Sequence, residues 1–348
     1  MRYLKTVMIA GLVMSVTACS KAEDAPDNTT ALVSNGPKLM SPDGPIRRCM
    51  NLGNGLDAPY EGAWDYQIED HHIVEIARAG FDTMRFPIRW DTRTQLAAPY
   101  TIEPEFFDRV DHLLNLALDN GLQVIVDMHH FGPLMDDPAG QEARFLAMWE
   151  QIADHYKDYP DTVIFEVLNE PVRKLNNRKL ERLFPKVLPI IRKTNPDRWV
   201  ILSGDNWGSL SGLLGVELPR DDKTIWSYHS YVPWTFTHQG ASWEKDSPPV
   251  GTTWGTPEDY TLIEQRTQRV AEHGALNGHP ILLGEFGAFG AEGRAPRESR
   301  LAWLTHMRRT NEAYNIGWCA WDFGAAFAYY DVETNQWDQE LLDTLLGD

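Results

Sequence analysis

Residues capable of chemistry recur in this sequence at the ends of short apolar runs. The run at 163–172, VIFEVLNEPV, carries Glu166, Asn169 and Glu170, and a later run, PILLGEFGA, carries Glu285. Between and around them, TMRFPI holds Arg85, DMHH holds His129 and His130, and YHSY holds His229 and Tyr231. GDNW and WDF add Trp207 and Trp321. Charged side chains are almost never buried unless paired or used, so each of these needs a partner or a task. Two carboxylates across a cleft are what glycosidic bond cleavage requires. One protonates the departing oxygen, and the other attacks the anomeric carbon or activates a water that does. Their environments must differ, so that one stays protonated and the other ionised. Arg85 beside Glu285 would hold that carboxylate ionised, and Tyr231 could donate a hydrogen bond to it. The negative charge on Glu285 would then raise the pKa of Glu170 and make it the acid.

Such residues need a frame that gathers strand ends around one site. Eight β-like runs occur, at 46–52, 83–88, 122–128, 162–168, 199–203, 224–230, 280–286 and 316–323, and amphipathic helical stretches separate them. The helical unit after the fifth run is short, and a short helix is expected near 339–346. Eight β/α units in about 300 residues indicate a (β/α)8 barrel, whose functional residues sit on the loops at the C-terminal ends of the strands. A doubly wound sheet is the alternative, but no Gly-rich phosphate loop follows the first run. Side chains alternate along a strand, so Glu166 and Glu170 share parity and both point inward. Glu170 then lies at the open rim. Glu166 lies deeper, held by an arginine such as Arg47 or Arg85.

DMHH also offers Asp127 and His129 as metal ligands on one strand face. Metal-dependent barrels of the amidohydrolase kind place a His-x-His pair on the first strand, and none is present here, so no metal is expected. His71 and His72 fall inside a helical pattern and read as surface residues.

The chain has 348 residues, 43% hydrophobic and 24% charged, with a formal net charge of −18. That acidity argues against nucleic acid or anionic membrane surfaces as partners. Residues 1–18 combine a basic start with an apolar stretch too short to span a bilayer, and read as a signal peptide. VTACS resembles a bacterial lipobox, with cleavage before Cys19 and lipidation of its thiol. An exported lipoprotein facing the periplasm or cell surface is expected, with a secreted protein as the alternative. Residues 19–44 are polar and rich in Pro, Gly and Asn, and read as a flexible tether, leaving 45–348 as the barrel. The other cysteines, Cys49 and Cys319, could be one disulfide or two buried thiols. Strands one and eight are neighbours in a closed barrel, so the two are predicted to be close.

FEVLNEP and GEFG, together with MRFP, DMHH and HSYVPWTFTHQG, resemble glycoside hydrolase family 5, the retaining cellulase-type barrels. The likeness runs from about Met50 to about Asp331, with the motifs in the family's order. It implies Glu170 as general acid/base, Glu285 as nucleophile, and Asn169 as the residue that binds the 2-hydroxyl of the sugar being cleaved. It implies that Arg85 and Tyr231 position the nucleophile. His129, His229 and His130 would line the site of the cleaved sugar, with Trp321 as its aromatic floor. Retention puts the two carboxyl groups about 5–5.5 Å apart and needs no cofactor. The expected activity is an endo-β-1,4-glucanase acting as a monomer on β-glucan. Mannan, xyloglucan and β-1,3-glucan are alternative substrates, and a non-catalytic glycan-binding lipoprotein is a reading of a different class. The segment 232–255 is long, and its Trp234, Trp243 and Trp254 are expected to wall the cleft. Trp207 is a further subsite candidate.

Overall fold

Short apolar runs bounded by turn residues become strands covered on both faces, as parallel sheets require. A computed structural model describes residues 39–290 and 293–347. The strands are β1 (Arg48–Asn51), β2 (Thr83–Phe86), β3 (Gln123–Asp127), β4 (Val163–Glu166), β5 (Val200–Ser203), β6 (Thr224–His229), β7 (Ile281–Phe286) and β8 (Gly317–Ala320). They pair in sequence order, all parallel, and β8 returns to pair with β1, closing a barrel. That closure rules out the doubly wound alternative.

Among the described residues, the main helix after each strand is α1 (Asp70–Ala79), α2 (Pro104–Asp119), α3 (Pro138–His155), α4 (Asn177–Thr194), α5 (Leu210–Gly215), α6 (Pro257–Asn277), α7 (Arg297–Ala313) and α8 (Gln339–Leu346), with shorter helical turns in the loops. Their ends carry the expected signals. Gly80 and Gly278 take left-handed conformations after α1 and α6, and Thr256 with Asp259 forms a capping box at the start of α6. α4 holds Pro185 and Pro189 inside its length, yet buries Leu180, Leu183, Phe184, Val187, Leu188 and Ile191 against the barrel. Packing of that face outweighs the lost backbone bonds. Among the described residues, no helix is long and apolar enough to cross a membrane.

The barrel interior has two layers of different chemistry. The lower one is apolar and contains Cys49, Ile125, Ile164, Ile201, Ile225, Leu282 and Cys319. Cys49 and Cys319 are register partners on β1 and β8, with Cα atoms 4.1 Å apart, and are joined by a disulfide. The predicted proximity therefore holds, and the pair is bonded. The upper layer is polar and surrounds Arg85, which is fully buried.

The structure revises three expectations. The signal peptide, Cys19 and most of the tether lie outside the described residues, but residues 41–44 do not behave as tether. Ser41 is buried, its N–H donates to the Tyr314 carbonyl, and its Oγ accepts from the Ile281 N–H. His72 is not a surface residue. It is buried, its Nδ1 accepts the Glu69 N–H in the capping box of α1, and it meets the Tyr66 hydroxyl at 3.2 Å. Trp254 does not wall the cleft. It packs against Tyr260 of α6 and His306 of α7, on the outside of the barrel.

Candidate active site

The upper layer is built around one guanidinium. Arg85 grips Glu166 as a fork, through Nε to Oε2 at 2.6 Å and Nη2 to Oε1 at 2.8 Å. The same side chain donates to Asn51 Oδ1 at 2.8 Å, Asn169 Oδ1 at 2.7 Å and Glu285 Oε1 at 3.0 Å, and it lies 3.1 Å from Asp127. Of the two arginines proposed to hold Glu166, Arg85 is the one; Arg47 pairs instead with Asp43. Asn51 spends its amide on the carbonyls of Gly284, Cys319 and Ala320, and so ties Arg85 to the closing strands.

Glu285 reaches this layer through an irregularity. Leu282 and Gly284 face the barrel axis and Leu283 faces the helices, so simple alternation would send Glu285 outward. The register of β7 shifts against both neighbours at this point. Bulges of this kind re-aim side chains, and here the carboxylate turns inward. Gly284 makes the turn feasible. A Cβ there would stand 2.6 Å from Ser227 Oγ and 2.9 Å from His229 Nε2.

The two candidate carboxylates face each other across His229. Its Nδ1 lies 2.9 Å from Glu170 Oε1 and 3.7 Å from Glu285 Oε2, and oxygens of the two carboxylates come within 4.8 Å. Their surroundings differ. Glu285 is buried and receives Arg85 on Oε1 and the Tyr231 hydroxyl on Oε2, the latter at 2.9 Å. The Glu170 side chain is 27% exposed, and His229 is its partner. Burial pushes Glu170 up to about 8, with Glu166 adding to the rise and Arg85 opposing it. Water at its open side tempers that rise. Burial pushes Glu285 only to about 7, because Arg85 and the Tyr231 hydroxyl favour its ionised form against the repulsion from Glu170. The pair therefore shares a proton near neutrality, and Glu170, which has no direct bond from Arg85 or Tyr231, holds it more firmly.

The histidines are neutral. Burial holds His129 and His130 well below the ordinary range and lowers His229 as well. His129 Nδ1 sits 2.6 Å from Asp127, which assigns the ring proton to that nitrogen and leaves Nε2 toward Asn169 at 3.4 Å. Trp321 stacks parallel to His129 at 5.5 Å. Gly53 permits this, because a Cβ there would come 2.7 Å from the indole. Trp207 follows β5 with Asn206, both in left-handed conformations, and donates its N–H to the Pro171 carbonyl at 3.2 Å. It therefore stands next to Glu170. On the other side of Glu285, Tyr231 meets His238 and Phe327, while Trp234 stacks on His238 and Trp243 packs on Phe289 and Phe327. Every sequence-selected site residue thus lies at the C-terminal mouth.

Sequence reasoning missed Asn51, Asp57 and Asp322 of this site and weighed Asp127 only as a metal ligand. Asn51, Asp127 and Asp322 are fully buried, and Asp57 nearly so. Asp57 approaches His129 and His130, with ligand-type atoms of all three within 4.8 Å, and its Oδ1 has no partner. Asp57 was legible as a charged residue in NLGNGLDA after the first strand; its burial was not.

The chain matches the family described as Cellulase (glycosyl hydrolase family 5) over residues 54–327. It belongs to glycoside hydrolase family 5. Endoglucanase H of Acetivibrio thermocellus is 32% identical over 328 residues, covering 92% of this chain and 35% of that protein. The chain thus spans about a third of the length of that relative. Endoglucanase 1 of Ruminococcus albus is 30% identical over 315 residues, covering 83% of this chain and 70% of that protein. Among solved structures, endoglucanase Cel5A of Thermotoga maritima superposes with a TM-score of 0.84 at 39% identity, covering 86% of this chain and 97% of that one. Cel5A has been solved with cellobiose and with mannotriose. In this family member, the barrel and the polar layer around Arg85 meet at one mouth.

Proposed function

We propose that the protein is an endo-β-1,4-glucanase that cleaves with retention, with Glu285 as nucleophile and Glu170 as acid/base. The observation that carries this reading is the asymmetric pair around His229. Oxygens within 4.8 Å of each other fit the retaining separation and leave no room for the water that inversion places between the carboxyls. Glu285 attacks the anomeric carbon while Glu170 gives its proton to the leaving oxygen. Glu170, now ionised, then takes a proton from water as it opens the glycosyl ester. Arg85 and Tyr231 hold the attacking carboxylate and favour its charged form. His229 Nδ1 passes close to both carboxylates, His129 and Asn169 present polar atoms to the sugar hydroxyls, and Trp321 lies beneath the ring. Residues from all eight strand ends contribute, Asn51 after β1 and Trp207 after β5 among them, all from one chain, which supports action as a monomer.

The test is reducing-sugar release and viscosity loss on carboxymethyl cellulose. The wild type should lower viscosity ahead of sugar release, and Glu285→Gln should lose at least about a thousandfold in rate. Comparable activity in the variant would sink the nucleophile assignment. The mannotriose complex of Cel5A supports a second reading, that mannan is also cleaved. Product analysis on cello- and manno-oligosaccharides separates the two. For the N-terminus we propose lipidation at Cys19, which VTACS supports; labelled fatty acid should enter the wild type and be absent from Cys19→Ser.

A further inference from the structure

The mouth buries more carboxylate than Arg85 serves. Arg85 contacts Asp127, Glu166 and Glu285. Asp57, after β1, is 1% exposed, and its Oδ1 has no hydrogen-bond partner among the described residues. The acids Asp322, Glu285 and Asp127 stand near enough to bear on its charge. A buried anion left among other anions is costly, and a cation brought beside it relieves that cost. The double displacement gives Asp57 no task.

Two imidazoles face the same spot. Ligand-type atoms of Asp57, His129 and His130 all lie within 4.8 Å of one another. His129 Nδ1 sits 2.6 Å from Asp127, so its Nε2 carries the lone pair, and the Asn169 amide reaches that nitrogen only at 3.4 Å. His130 touches the rings of His129 and Trp64 but makes no hydrogen bond among the described residues. It is only partly buried, which leaves a way in from the cleft. A carboxylate that holds one ring nitrogen while the other ligates is how proteins orient a metal-binding histidine. An ion bound at about 2.0–2.2 Å spans at most about 4.4 Å between ligands, so closing the three around it takes only small side-chain rotations. Two imidazoles and one carboxylate suit a borderline dication of the zinc and copper class, whereas magnesium and calcium favour oxygen ligands. Glu170, His229 and Glu285 also cluster, but there Arg85 and Tyr231 hold both oxygens of Glu285, and His229 Nδ1 meets Glu170.

We propose that Asp57, His129 and His130 form a binding site for a transition-metal dication of the zinc class, and that an ion held there blocks the cleft instead of serving the reaction. For its effect on catalysis this rests on the glucanase reading. His129 Nε2 is a polar atom offered to the sugar being cleaved, and one lone pair cannot serve sugar and metal together. The ion and the glycan chain therefore compete, and the free metal concentration sets how much enzyme is open to substrate.

Isothermal titration of the untagged wild type with zinc chloride tests the site, and one ion should bind per chain. Asp57→Asn and His130→Gln should each weaken binding at least about tenfold, whereas Glu285→Gln should keep zinc affinity within about twofold. His130 is partly exposed, so its variant keeps the test open if Asp57→Asn does not fold. Saturating cellotriose should weaken zinc binding. On cellohexaose, zinc should raise the wild-type KM, leave kcat within about twofold and be reversed by EDTA. Absence of stoichiometric binding, affinity unmoved in both ligand variants, or loss of zinc in Glu285→Gln alone overturns the site. Bound zinc that lowers kcat with KM unaltered overturns the blockade. A wild type that binds zinc yet cuts no cellohexaose overturns the glucanase reading and leaves the ion site standing.

Discussion

At the residue scale, function rests on unequal treatment of two glutamates. Two donors from Arg85 and Tyr231 fix Glu285, whereas Glu170 meets a neutral histidine and water. This has a consequence for stability. Both folded-state pKa values are raised, to about 8 and about 7, above an ordinary 4.5. The native state thus binds more protons than the unfolded chain between those limits. The pair's contribution is therefore most favourable below the ordinary value and is lost as pH rises through the folded values. Thermal melts should show a midpoint that falls between about pH 5 and about pH 9, and Glu170→Gln should flatten that fall. A slope identical to that of the wild type would mean that Glu170 does not carry the raised pKa.

At the element scale, the irregular end of β7 decides the site. Gly284→Ala would press a methyl group onto Ser227 and His229, displacing the imidazole between the two carboxylates. Misplacement of about 1 Å at such a site costs about a hundredfold in kcat, and melting should be affected far less; intact kcat would show that His229 position is not critical. Glu166 at the end of β4 is the converse case. It sits below the mouth, fully buried, in the Arg85 fork. Glu166→Ala should cost about 3–5 kcal/mol in urea unfolding, because it breaks a buried pair from one side. Its loss also frees Arg85, which Glu285 shares, so activity should fall with stability rather than after it.

At the scale of the whole molecule, the barrel closes where its two ends meet. Cys49 and Cys319 join the first and last strands across a sequence separation of 270 residues. A link over so long a loop constrains the unfolded chain strongly. Cys49→Ala should therefore cost about 2–5 kcal/mol in unfolding without reductant. Peptide mapping without reductant should recover the two cysteines cross-linked; two free thiols would refute the bridge. The segment at Ser41 adds a polar latch on the same end of the barrel, tying α7, through Tyr314 just beyond it, to the start of β7.

The sequence by itself determined the eight-unit alternation, the closing helix at 339–346, and every polar residue chosen for the mouth. Those signals are local: apolar runs, caps, and charges that have no reason to follow strands unless used. Parity also placed Glu166 inside. Tertiary structure alone decided that Arg85 rather than Arg47 holds it, because the choice depends on depth along the barrel axis. It also decided that Glu285 points inward against its own alternation, since a bulge depends on the neighbouring strands' register. The burial of Asp57 and His72, the outward placement of Trp254 and the docking of Ser41 depend on contacts between segments far apart in the chain. No local pattern encodes such contacts, because each side chain's surroundings exist only once the barrel has closed.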